Sequence, residues 1–198
     1  MKRPPEPLTP EEVALLVGAT GRSPSGIRNR ALILTLARTG LRIGEALALM
    51  PKDVENGSLR VQHGKGDRSR VVAIPADLED PLGRWLEVRA RLGANGRHPV
   101  FCLITTGKVG EPVQDAYVRS MLPRLAKKAG IEKRVHAHGL RHSHALELVR
   151  AGLDIIDVRD QLGHASVAVT DRYLRSVAPE ARLDRVRRAL EGGAADQE

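Results

Sequence analysis

Four short islands along the chain carry side chains suited to phosphate chemistry. In Thr39-Gly40-Leu41-Arg42-Ile43-Gly44-Glu45 an arginine opens a helix directly after a glycine stop. Lys65 sits between Gly64 and Gly66, with Arg68 and Arg70 close behind. In His138-Gly139-Leu140-Arg141-His142 the histidine and the arginine are three apart, so on a helix they project from one face toward a common target. Leu162-Gly163-His164 is followed nine residues later by Tyr173, one of two tyrosines with Tyr117. Taken alone, each island has a plainer account: a helix start with a surface arginine, a solvated basic turn, or a half-buried tyrosine at a helix–loop junction. Together, two arginines, a lysine, two histidines and a tyrosine suit one task. They can surround a phosphodiester and neutralise the charge that grows on its oxygens as a nucleophile attacks. A tyrosine hydroxyl has a pKa of about 10, so nearby cations are needed to make it nucleophilic. A lysine can protonate the departing 5′ oxygen, help worth roughly 10²–10⁴ in rate. The product, a phosphotyrosyl ester, stores the bond energy for resealing, so neither ATP nor a metal is required.

Other chemistries find less support. Gly64-Lys65 lacks both the upstream glycine and the Ser/Thr of a phosphate-cradling P-loop. His138 and His142 have the spacing of a zinc-protease helix, but Gly139 stands where the general base belongs. Asp154, Asp157 and Asp160 recur every third residue, which reads as a solvated helix face rather than a cation site. The expectation is no cofactor and no metal.

The elements that must position these groups are mostly helical. Thr9-Pro10-Glu11-Glu12 has the form of a capping box with proline at the first helical position, and Gly18 ends that helix. A second helix is expected over about 27–38 and stopped by Gly40, a third from Arg42 to before Pro51. The period then changes: Leu59, Val61, Val71 and Ile74 alternate on either side of His63-Gly64-Lys65-Gly66-Asp67, predicting a β-hairpin. Further helices are expected at about 80–92 with Asp80 as cap, at 114–129, 138–151, 154–162, 166–175 and 179–190. A short strand is expected at 100–104, and residues 191–198 read as a frayed tail. The fold class is therefore α+β, mostly helical with one small antiparallel sheet.

Composition agrees. The 198 residues are 41% hydrophobic and 28% charged, which excludes a disordered tail, and at 2% aromatic the core must be built from aliphatic residues. Thirty-two Lys plus Arg against 24 Asp plus Glu leave a net charge of +8, pointing to a polyanionic partner such as nucleic acid. Cys102 is the only cysteine, so no intramolecular disulfide can form and a reducing cytoplasm fits. No apolar run approaches the roughly 20 residues of a membrane span, and no charged-then-apolar leader opens the chain.

With these islands in this order, the sequence resembles the tyrosine recombinases, or phage integrases, and their Xer relatives, over nearly its whole length. Thr-Gly-Leu-Arg-Ile-Gly-Glu looks like the family's first arginine box, Gly64–Arg70 like its hairpin lysine element, and His138–His142 like its His-x-Leu-Arg-His box. Leu162-Gly163-His164 with Tyr173 keeps the family's nine-residue offset. The resemblance implies Tyr173 as nucleophile, Arg42 and Arg141 on the non-bridging oxygens, and Lys65 as acid at the leaving oxygen. It also implies His138 in proton transfer, His164 on the phosphate and Glu45 in support. It further implies duplex DNA as partner, a homotetramer on the DNA synapse that is a monomer when free, no membrane, and a catalytic domain spanning 1–198. Only eight residues precede Thr9, so the family's additional N-terminal DNA-binding domain is expected to be absent, either in a catalytic fragment or in a short member of the fimbrial-invertase kind. The apolar stripe Leu183, Val186 and Leu190 could pack on a neighbouring subunit or cover its own core. Two rivals share the fold: a type IB topoisomerase, and a DNA-binding regulator that does not cleave.

Overall fold

The computed structural model describes residues 6–62 and 69–163. Helix α1 (Pro10–Gly18) begins as the capping box requires: Thr9 Oγ1 accepts from the Glu12 N–H, and Glu12 Oε2 accepts from the Thr9 N–H at 2.8 Å. Helix α2 (Pro24–Thr39) starts three residues earlier than the apolar spacing suggests, because Ser23 caps it and Pro24 takes the first helical position. It ends at Gly40, whose φ of +63° is the left-handed conformation that lets a chain leave a helix. Helix α3 (Ile43–Ala48) follows at once, with Arg42 as its N-cap residue.

Three antiparallel strands come next, β1 (Val54–Glu55), β2 (Ser58–Val61) and β3 (Arg70–Ala73), in the order β1-β2-β3. The β2–β3 hairpin is the one expected, with one change of facing. Leu59 pairs with Val72, and both are buried, whereas Val71 points outward and is 66% exposed. Strand β1 was not expected. It is joined to β2 by Asn56-Gly57, both at positive φ, the dipeptide that favours a tight hairpin turn.

Helix α4 (Ala76–Arg91) begins a turn before Asp80, with Pro75 as N-cap residue, so Pro81 lies inside the helix rather than at its start. Burial decides this: Leu78, Leu82 and Trp85 form one face against the core, and a helix starting at Asp80 would lose Leu78. The expected strand at 100–104 is reduced to one isolated bridge between Cys102 and Pro112, although Val100, Phe101 and Cys102 are fully buried. Helices α5 (Asp115–Lys128), α6 (Ala137–Arg150) and α7 (Ile155–Leu162) lie within a residue of expectation. Asp154 caps α7 through bonds from the Ile156 and Asp157 N–H groups, and Asp160 pairs with Arg159. The helices expected at 166–175 and 179–190, the apolar stripe and the tail lie outside the described residues.

Helix α2 is the central rod, packed by α1, α3, α4 and α6. The core around it is aliphatic (Leu16, Leu32, Ile33, Leu36, Leu41, Leu122), with Trp85 and Phe101 its only fully buried aromatic rings among the described residues. Trp85 Nε1 donates to the Val100 carbonyl at 2.8 Å, satisfying the one polar atom the ring buries. A second apolar cluster of Ala145, Leu146, Val149, Val158 and Leu162 fixes α7 against α6. That packing brings the C-terminal end of α7 to the C-terminal end of α2, where the candidate chemistry lies. Among the described residues no helix is long and apolar enough to cross a membrane.

Candidate active site

Helix α6 starts with His136, whose Nδ1 accepts from the Gly139 N–H at 2.9 Å and fixes the first turn. From that turn Arg141 reaches inward. Its side chain is buried, with Nη1 donating to the Gly40 carbonyl at 2.6 Å and Nη2 to the Leu162 carbonyl at 2.7 Å. Two helix ends thus hold one guanidinium, and both end in a left-handed glycine, Gly40 and Gly163.

Arg42 approaches from the other side. Its Nη1 donates to Glu45 Oε1 at 2.8 Å, while Glu45 Oε2 accepts from the Arg42 backbone N–H at 2.9 Å, so one carboxylate grips both ends of the residue. Its Nη2 donates to the Gly163 carbonyl at 3.2 Å, and its side chain is 47% exposed. Glu45 has a second partner, Arg70 of β3. Arg70 Nη1 reaches Oε1 at 3.1 Å, Nη2 reaches Oε2 at 2.8 Å, and Nε donates to the Gln161 carbonyl at 3.2 Å. Burial alone would raise the Glu45 pKa, but hydrogen bonds from Arg70 and from the Arg42 backbone, with the Arg70 charge, bring it down to about 2.

The end of α7 is therefore shared among three arginines. The successive carbonyls of Gln161, Leu162 and Gly163 accept from Arg70, Arg141 and Arg42 in turn. The last carbonyls of a helix have no partner within it and carry the negative end of its dipole, so cations suit them. Here they act as a jig that sets three guanidinium groups side by side.

His138 occupies the exposed first turn of α6, its ring edge-on to His142 with centroids 4.2 Å apart. Its pKa lies below the ordinary value, first because the surrounding protein strips water from it, then through the charges of Arg141, His136 and Arg42. It is thus neutral at neutral pH and able to take a proton. His138 and Arg141 are three residues apart on α6, the spacing that puts two side chains on neighbouring positions of one helix face.

Of the seven residues singled out from the sequence, Arg42, Glu45, His138 and Arg141 come together at the facing ends of α2, α3, α6 and α7. Lys65, His164 and Tyr173 lie outside the described residues. Sequence reasoning noticed Arg70 only as one of the basic residues behind Lys65. In the structure it is the first residue of β3, opposite Val61. The carboxylate it meets is 25 positions away, and no periodicity announces it.

A family model described as the phage integrase family matches residues 6–179. The chain belongs to that family. Among curated relatives, a tyrosine recombinase XerD of Corynebacterium glutamicum is 34% identical over 186 residues, covering 90% of this chain and 59% of the relative. Among solved structures, the XerA recombinase matches with a TM-score of 0.78 at 31% identity, over 93% of this chain and 65% of that one. A XerH site-specific recombinase bound to a palindromic difH substrate, in a post-cleavage complex, matches with a TM-score of 0.73 at 31% identity, over 94% of this chain and 54% of that one. The chain thus spans less than two thirds of the length of these relatives.

Proposed function

We propose that residues 1–198 form a single catalytic domain that breaks and rejoins duplex DNA at a chosen site through a 3′-phosphotyrosyl intermediate. The observation that carries this reading is the sharing of the α7 carbonyls between Arg42 and Arg141, with His138 three residues from Arg141 on α6. Two fixed guanidiniums are what a phosphate needs as it gains negative charge, and they are worth most when positioned beforehand. The positive N-terminal end of α6 adds to the same potential.

In the proposed step the Tyr173 oxygen attacks phosphorus and its proton passes to His138. The bond to the 5′ oxygen breaks, and Lys65 supplies the proton that leaves with it. Arg42, Arg141 and His164 hold the non-bridging oxygens. Reversal with a different 5′ hydroxyl completes strand transfer, so no external energy source enters. On paired sites the active form is a homotetramer, which the family resemblance favours. A reducing cytoplasm suits the single buried thiol, Cys102.

The test is to incubate the protein with lightly nicked duplex from the genome that encodes it, so that a short strand released beside the cut traps the covalent state. The expected result is a denaturant-resistant adduct at a recurring sequence, mapping by peptide mass spectrometry to Tyr173 and lost in Tyr173→Phe. An adduct that persists in that variant removes the nucleophile. Relaxation of any supercoiled plasmid without a preferred site would point to a topoisomerase, and site-selective binding with no adduct to a regulator.

A further inference from the structure

We infer that Arg70, which the proposed reaction does not use directly, is the positioning residue that sets the pose of Arg42. This rests on the DNA-cleaving reading of the site only for its catalytic consequence; the control of one arginine by the other is a property of the free protein. Arg70 is the buried member of the pair of arginines on Glu45: the Arg70 side chain is 11% exposed and Glu45 is 8% exposed, against 47% for Arg42. It fills both carboxylate oxygens with a parallel fork, the arrangement in which a guanidinium fixes direction as well as charge. Glu45 then has one orientation in which to receive Arg42, and Arg42 is the group left facing solvent and phosphate.

Arg70 also reaches the partner on the other side of Arg42. Its Nε holds the Gln161 carbonyl, two residues before the Gly163 carbonyl that accepts from Arg42. A Cβ at Gly163 would lie 2.7 Å from Arg70 Nη1, 2.8 Å from Cζ and 3.0 Å from Nε. The guanidinium therefore lies flat against the glycine and occupies the space a side chain would take. Both contacts that fix the Arg42 guanidinium, the Glu45 carboxylate and the Gly163 carbonyl, are thus held from behind by Arg70. It further ties β3, the strand that follows residues 63–68, to the end of α7, the segment that precedes His164.

The experiment compares wild type, Arg70→Lys, Arg42→Lys and the double variant. Lysine keeps the positive charge beside Glu45 but cannot fork. The first measurement needs no DNA: the guanidinium Nε–H resonance that disappears in Arg42→Lys identifies Arg42, and in Arg70→Lys it is expected to shift and to lose its slow-rotation signature. An unchanged resonance overturns the inference. The second is adduct formation at saturating duplex: Arg70→Lys is expected to slow it by about 10²-fold, the scale set by a misplacement of about 1 Å, with affinity for the duplex little changed. In the Arg42→Lys background the Arg70 substitution is expected to add almost nothing, because its effect passes through Arg42. A full, additive loss in the double variant, or a loss confined to binding, overturns the positioning role. If wild type gives no adduct while the Arg42 resonance still responds to Arg70→Lys, the reaction fails and the positioning stands. Should Arg70→Lys not fold, Gly163→Ala crowds the same guanidinium while keeping every charge, and the same displaced Arg42 resonance is expected; an unmoved one overturns the inference there too.

Discussion

The guanidinium of Arg141 donates to the carbonyl of Gly40 at 2.6 Å, across 101 residues of chain, and so joins the N-terminal half of α6 to the glycine that closes α2. A buried arginine with its Nη groups on the carbonyls that close two other helices is a structural pin, and in the proposed reaction it is a phosphate ligand as well. Arg141→Lys can reach one of those carbonyls but not both. A carbonyl left buried without its donor costs about 1–3 kcal/mol, so Arg141→Lys is expected to lower stability by that amount and to abolish adduct formation. Urea unfolding beside the adduct assay checks it; a variant as stable as wild type would show that the carbonyls are satisfied by other donors.

Gly40 is the second half of that pin, and alanine there meets two penalties. The backbone is left-handed, and the added Cβ would stand 2.7 Å from His144 Cδ2 and 2.8 Å from Leu162 Cδ2. A loss of about 2–4 kcal/mol is expected for Gly40→Ala. Gly18 is the contrast: it ends α1 at ordinary φ with nothing within 4 Å of the added atom. Gly18→Ala should stabilise by about 0.5–1 kcal/mol, since it stiffens the unfolded chain and favours helix. Thermal melts of the pair separate a glycine that the fold needs from one that it tolerates.

His144 makes stability depend on pH. Its ring is buried, Nε2 has no hydrogen-bond partner among the described residues, and desolvation, then Arg141 and Arg38, bring its pKa down to about 4. The folded state holds it neutral while the unfolded chain takes up a proton below about 6.5. Stability is therefore whole above pH 6.5 and falls as pH drops toward 4, by about 3 kcal/mol if the full shift applies. In His144→Phe this part of the slope should vanish. Chemical denaturation of both proteins at pH 7 and pH 5 checks it, and equal slopes in the two would contradict it.

How far these features can be read from sequence varies with the distance over which they are made. The capping box of Thr9 and Glu12, the helix stop at Gly40, and the β2–β3 hairpin are local, and each has a short-range physical signature. The start of α4 was misread because Asp80-Pro81 imitates a helix beginning, while the burial of Leu78 overrules it. Val71 and Val72 are chemically alike, so only pairing with Leu59 tells which one faces inward. In the site, Arg42, Glu45, His138 and Arg141 were legible as motif residues. The carbonyl ladder at 161–163 and the role of Arg70 were not, because backbone acceptors have no letter in a sequence and the ion pair spans two elements of different type.

The proposed contact with duplex DNA should be strongly salt-dependent. Each phosphate neutralised by an arginine or lysine releases counterions, so affinity is expected to fall by about 10³-fold or more between 50 and 200 mM salt if about six or more phosphates are engaged. The formal charge of +8 motivates this. Arg42→Ala, which removes an exposed cation, should lower the slope of log affinity against log salt by about one. A salt-independent affinity would mean that the surplus charge faces away from the duplex.

Glu45 gives the sharpest link between stability and the site. Its carboxylate stays ionised to about pH 2, while in the unfolded chain it titrates near 4.5. A depressed pKa contributes stability that is complete above 4.5 and is lost as pH falls from there toward 2. The shift corresponds to about 3 kcal/mol at neutral pH. Glu45→Gln leaves Arg70 and Arg42 sharing a neutral amide in a largely buried place, so it is expected to destabilise by about that much at pH 7. The gap from wild type should narrow below pH 4.5 and close near pH 2, where wild type also becomes neutral at this position. Denaturant titrations of both proteins between pH 7 and pH 2.5 test it: a gap of constant size over that range would mean that packing of the side chain, and not its charge on two arginines, is what Glu45 contributes.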